Sequence, residues 1–171
     1  MNMQKTIEAT SEPGAAAPEA SVGGYVETLS LIERLHRLLL DVIKDEFERL
    51  GRLDVNSVQA LLLYNVGENE VTAGELKTRG YYQGSNVSYN LKKLVEGGYM
   101  HHQRCEIDRR AVRISLTEEG RKIRDIVGDL FARHAVKLTT KDEFADGELS
   151  RMNGELRAME RFWTEQIRYI Y

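Results

Sequence analysis

Cysteine is almost absent from this 171-residue chain: Cys105 is its one instance, so no intramolecular disulfide can form, as expected in a reducing compartment. Proline occurs twice, which together with 42% hydrophobic and 30% charged residues points to a helix-rich globular protein rather than a fibrous or disordered one. Long apolar runs are missing. Leu38-Leu39-Leu40 and Ala60-Leu61-Leu62-Leu63 fall far short of the ~20 residues of a membrane span. Met1 to Ala20 contains no apolar core of a signal peptide. The expectation is a single compact cytoplasmic unit with no membrane partner. Catalytic chemistry is equally poorly supplied. The carboxylates Asp41, Asp45, Glu46 and Glu48 share a helix with no nucleophile, metal motif or Gly-rich phosphate loop in view, so neither an enzyme nor a cofactor is expected.

The net charge of −3 is small, but it is unevenly spread. Residues 72–124 hold eleven Lys or Arg against six acids, a local +5, which leaves −8 for the remainder. A basic centre between acidic ends is the pattern expected when only the middle of a chain meets a polyanion.

Residues 1–24 are rich in Ala, Gly, Glu, Pro and Ser and offer little to bury, so they are expected to form a flexible tail. From Tyr25 the apolar spacing becomes helical. Tyr25, Leu29, Ile32, His36, Leu39, Ile43, Phe47 and Leu50 line one face up to Gly51. Leu31, Leu35, Leu38 and Val42 form a second row ~100° away. One partner surface cannot easily bury both, which predicts that one row packs on its own subunit and the other on a second chain.

Asn56 and Gln59 open a helix over about 57–66, and Thr72 with Glu75 opens a short one ending near Arg79-Gly80. Ser85 caps a third, which Gly97-Gly98 stops. Three short helices in about forty residues, the last two joined by a Gly-containing turn, read as helix-turn-helix. Tyr99–Cys105 and Ala111–Leu116 then read as two strands of a hairpin, or wing. Thr117 with Glu118 and Glu119 opens another helix, and Leu149, Met152, Leu156, Met159, Trp163 and Ile170 mark a last one.

On the third short helix, Val87, Leu91 and Leu94 define the inward side, while Ser85, Asn86, Tyr89, Lys92 and Lys93 project outward with Ser88 at the flank. Such a face suits double-stranded DNA: Asn can read an adenine edge, Ser and Tyr reach phosphate or base, and Lys neutralises phosphate. Arg109, Arg110 and Arg113 make the wing basic.

At Asp108-Arg109-Arg110-Ala111-Val112-Arg113-Ile114-Ser115-Leu116-Thr117-Glu118-Glu119-Gly120 the chain resembles the MarR family, with its Asp-x-Arg wing followed by Leu-Thr-x-x-Gly. The resemblance extends over about Tyr25 to Tyr171. It implies a mainly α fold with a small β-hairpin wing: an N-terminal dimerisation helix at 25–53, a winged helix-turn-helix at 54–116 and C-terminal dimerisation helices at 117–171. It further implies a homodimeric, sequence-specific transcription regulator, a repressor or a dual regulator, on pseudo-palindromic sites. Arg110 would enter the minor groove and Asp108 would hold the wing. A small-molecule effector would bind where the dimerisation helices meet the winged helix, near Leu35, Leu39 and Leu63. Arg79-Gly80-Tyr81-Tyr82-Gln83-Gly84 is more aromatic and Gly-rich than the family's usual turn. Gly80 to Asn90 is similar to the LdtR-like subgroup.

Two alternatives use the same residues. A winged helix can bind protein instead of DNA, which salt-dependent gel shifts would separate. Cys105 beside Arg104 could sense oxidants, although a structural strand cysteine is the simpler reading. His101, His102 and Cys105 do not make a metal site, because neighbouring strand residues point to opposite faces.

Overall fold

Short-range capping sets the element boundaries. In the computed structural model, which describes residues 19–72, 75–76, 84–104, 112–140, 144 and 147–170, the chain runs α1 (Glu19–Arg49), α2 (Ser57–Val66), β1 (Val71–Thr72), α3 (Gly84–Glu96), β2 (Met100–Arg104), β3 (Val112–Leu116), α4 (Glu118–Thr139) and α5 (Glu148–Ile170). The architecture is mainly helical with a small antiparallel sheet, as the sequence implied. Asn56 and Gln59 form the expected reciprocal cap: the Gln59 amide donates to Asn56 Oδ1 at 2.9 Å and the Asn56 amide to Gln59 Oε1 at 3.2 Å. The Thr72–Glu75 box is also present, at 2.6 and 3.1 Å. Its helix is described only at Glu75 and Leu76.

The chain divides into two units, up to Leu39 and from Leu40 onward. In the first, α1 begins at Glu19, inside the segment expected to be a tail. Every described side chain from residue 21 to 27 is exposed, and a Cβ on Gly23 or Gly24 would meet nothing within 4 Å. A helix without a buried face leaves no periodicity in its sequence; it propagates from an existing nucleus instead. Further along, Leu29 and Ile32 are half-buried while Leu31, Leu35 and Leu38 are exposed, so the two apolar rows differ in environment.

In the second unit α2 is the central element. Ala60, Leu61, Leu62 and Leu63 are consecutive and all buried, because α2 meets α4, β3 and α3 on different sides. Ile43 and Phe47 of α1, Leu91 and Leu94 of α3, Met100, Ile114 and Leu116 of the sheet, and Ile123, Val127 and Leu130 of α4 join it in the core, with Val55, Val66, Val71 and Leu76. Tyr64 and Phe131 meet edge-to-face with ring centroids 5.0 Å apart.

The sheet has the order β1-β3-β2. β2 and β3 are the predicted hairpin, in the register Met100↔Leu116 to Arg104↔Val112. β1 pairs Val71 with Ile114 and Thr72 with Arg113. Two residues are too few to show alternation, so β1 was not legible in the sequence.

Candidate nucleic-acid interface

Two backbone constraints fix where α3 ends and the wing begins. Gly98 adopts φ +77°, and the amides of Gly98 and Tyr99 donate to the carbonyls of Val95 (3.1 Å) and Leu94 (2.9 Å), which closes α3 and turns the chain into β2. Thr117 then ties this turn to α4. Its hydroxyl donates to the Gly98 carbonyl at 2.7 Å and accepts from the Gly120 amide at 3.1 Å, while its own amide donates to the Tyr99 carbonyl at 3.1 Å. Gly120 lies so close that a Cβ there would stand 2.1 Å from the Tyr99 carbonyl oxygen. The Leu-Thr-x-x-Gly run is thus a joint: Leu116 ends β3 in the core, Thr117 caps α4 and binds the turn, and Gly120 leaves room for it.

A third tie comes from the segment before α2. The Tyr99 hydroxyl donates to Asp54, which also receives two bonds from the Arg52 guanidinium, at 3.1 and 3.0 Å. Those bonds, Arg52's first and Tyr99's second, pull the Asp54 carboxyl down to about 2. Burial and the Asp54 carboxylate push the Tyr99 phenol up. Nearby, Glu46 on α1 is held at about 2 by Arg49, with Arg133 of α4 adding to it against the cost of burial.

With its end fixed, α3 presents a defined outer face. Leu91 and Leu94 are buried as expected, and Asn90 is buried beside them. Spacing could have found Asn90, since ~100° per residue places it within about 40° of Leu94 around the helix. Ser88, Tyr89, Lys92 and Lys93 are exposed, Tyr89 at 61%. Only the backbone of Ser85 and Asn86 is described, and it is helical. Lys92 and Lys93 both approach Glu96, with Nζ to carboxylate distances of 3.8 and 3.4 Å. Sequence reading missed Glu96, although ~100° per residue places it on the same stripe as Tyr89 and Lys92.

On the sheet, Arg113 projects from the face opposite buried Ile114 and pairs with Glu70 at 3.1 Å. His101 and His102 face opposite sides, opposite Ser115 and Ile114 respectively. A cavity of about 340 Å³ lies between α3 and the strands, lined by Leu91, Val95 and Ile114 with Ser88, Lys92, Glu96 and His102. Asp108, Arg109, Arg110 and Cys105 lie outside the described residues. Of the residues assigned to an effector, Leu63 is fully buried in the second unit, while Leu35 is exposed and Leu39 half-buried in the first.

A helix with a buried apolar side and a polar, cationic outer side, followed by an antiparallel wing, is the geometry that enters a DNA groove. Residues 55–120 match the family model of the winged helix DNA-binding domain. The chain carries a winged-helix DNA-binding domain. Over 99 residues it is 39% identical to the exopolysaccharide II synthesis transcriptional activator ExpG of Rhizobium meliloti (strain 1021), covering 58% of this chain and 51% of that protein. The chain thus spans about half the length of the curated relative it matches.

Among solved structures, a MarR transcriptional regulator from Methanosarcina mazei Go1 superposes with a TM-score of 0.64 at 23% identity, covering 80% of this chain and 95% of that one. Streptococcus pneumoniae FabT, in complex with DNA, gives 0.64 at 20% identity over 83% and 99%. The MarR resemblance read from the wing motif is therefore matched by the fold. The winged-helix domain sits in a chain whose described helices are nowhere long and apolar enough to cross a membrane.

Proposed function

We propose that the chain is a sequence-specific transcription regulator that binds double-stranded DNA as a cytoplasmic homodimer. The outer face of α3, with Tyr89, Lys92 and Lys93 exposed in a segment that matches the winged helix DNA-binding domain, is the observation that carries this reading. FabT, seen in complex with DNA, supports duplex as the partner. The exposed apolar row Leu31, Leu35 and Leu38 on α1, with Met152, Leu156 and Phe162 on α5, supports a second copy as what covers them. Two-fold symmetry then calls for a pseudo-palindromic site with half-sites about one helical turn apart.

Control by promoter occlusion gives repression, and the same complex at an upstream site gives activation, the role named for the Rhizobium meliloti relative. The family resemblance also supports modulation by a small molecule that favours one spacing of the two recognition helices. A panel of aromatic and metabolite ligands that changed neither melting temperature nor DNA affinity would remove that part of the reading. The central test is selection of bound fragments from genomic DNA, followed by gel shifts at several salt concentrations. A shared inverted-repeat motif with salt-sensitive binding is expected; fragments with no common motif would reject sequence-specific regulation.

A further inference from the structure

Two acids stand where a DNA-binding surface has least use for them. Glu96 lies on the outward stripe of α3, within about 40° of Tyr89 and Lys92 around the helix, and its carboxylate is 3.4 Å from Lys93 Nζ and 3.8 Å from Lys92 Nζ. Glu70, just ahead of β1, is 3.1 Å from the guanidinium of Arg113 on the wing sheet. Lys92, Lys93 and Arg113 are the described members of the set read as contacting DNA that carry charge, and each already faces a carboxylate.

Fold stability does not account for these pairs. Glu96, Glu70 and Arg113 are all about half exposed, where ion pairs contribute little. Glu96 follows Lys92 by four residues, the poorer orientation for a helix pair, and its charge in the last turn opposes the helix dipole. Against a polyanion, however, the same carboxylates still count: they offset part of the charge of the cations that would meet phosphate and repel that phosphate themselves.

We infer that Glu96 and Glu70 are built-in phosphate mimics that occupy the phosphate-binding cations of the free protein and hold down its affinity for every duplex. The inference rests on the DNA-contacting role proposed above for α3 and the wing. Phosphate contacts carry no sequence information, so both acids set overall affinity and leave base preference to Tyr89, Asn86 and the wing tip.

The test compares the full-length protein with Glu96→Gln, Glu70→Gln and the double variant. The probes are a duplex recovered by genomic selection and a scrambled duplex of the same composition, each titrated at several salt concentrations. Glu155→Gln serves as a charge-matched control, since Glu155 pairs with Arg151 on α5, outside residues 55–120. Circular dichroism and sedimentation confirm that each variant keeps the wild-type fold and assembly.

At low salt, Glu96→Gln and Glu70→Gln should each tighten binding to both duplexes roughly fivefold. The gain should shrink as salt rises, steepening the salt dependence by about one unit per freed cation. The ratio of recovered to scrambled affinity should stay constant. Unchanged or weaker binding by both folded single variants would overturn the inference while leaving the DNA-binding reading in place. An equal gain from Glu155→Gln would also overturn it, by reducing the effect to net charge. A wild-type protein that binds neither duplex at any salt would reject the DNA-binding reading and this inference with it.

Discussion

Individual side chains on the proposed DNA-facing surface should fail in different ways when removed. Arg110, the wing-tip residue implied by the Asp-x-Arg motif, would meet the strong negative potential of a narrow minor groove, so Arg110→Ala should cost operator binding about 1–3 kcal/mol per site. Lys93→Ala should weaken binding to all sequences alike and make the salt dependence shallower by at most about one unit, because Glu96 already compensates part of its charge. Tyr89→Ala should relax preference at particular bases and leave scrambled duplex nearly unaffected. Affinities for operator and scrambled duplex at several salts check all three, and unchanged operator affinity in folded Arg110→Ala would show the wing tip to be misplaced. Away from that surface, Asp54 and Glu46 carry a pH signature. Their folded pKa values of about 2 lie below the ordinary 3.8 and 4.5, so the stability they contribute is present above that ordinary range and is lost as pH falls toward about 2. Asp54→Asn should lower the urea midpoint near neutral pH, and the gap from wild type should narrow across this acid window. A gap independent of pH would assign Asp54 a purely steric role.

The joint between α3, the wing and α4 makes a sharper demand at the level of elements. Gly120→Ala puts a Cβ 2.1 Å from a backbone oxygen that no side-chain rotation can move, so α4 must shift away from the Tyr99 turn. The expected cost is about 1–3 kcal/mol, read as a lower denaturation midpoint with an unchanged slope. A wild-type midpoint would mean that the joint yields freely. Caps and apolar periods made α2, α4 and the exposed side of α3 legible from sequence, because each depends on neighbours within about four residues, and the β2–β3 hairpin was legible because its two strands are close in the chain. What escaped reading depends on distance or on missing contrast. Asp54 and Tyr99 are separated by 45 positions and meet only after folding. Residues 21–27 of α1 are exposed, and β1 is two residues long. Glu96 shares the helical stripe of Tyr89 and Lys92, but its pairing with Lys92 and Lys93 depends on side-chain conformation, which spacing does not carry.

For the whole molecule, the question is what covers the apolar rows. Leu35 is 62% exposed on α1, and Phe162 and Ile167 are 50% and 61% exposed on α5. Each row left in water would expose contiguous apolar side chains of the kind that mark an interaction surface. A second copy is the occupant that the proposed function calls for, since two linked recognition helices would engage two half-sites at once and the second contact would gain from high effective concentration. Replacing Leu31 and Leu35 together by Glu should therefore convert dimer to monomer in sedimentation at micromolar concentration. Both positions are exposed, so the helix itself should survive and circular dichroism should stay close to wild type. DNA binding should then fall unequally. Operator affinity depends on bridging two half-sites and should drop by one to two orders of magnitude or more, as avidity arithmetic requires. Attraction to scrambled duplex would come, on the proposed reading, from Lys92, Lys93, Arg113 and the wing arginines of each chain and should fall far less. A wild-type protein that sediments as a well-folded monomer, or a Leu31→Glu/Leu35→Glu variant that stays dimeric with full operator affinity, would remove the second copy from this surface.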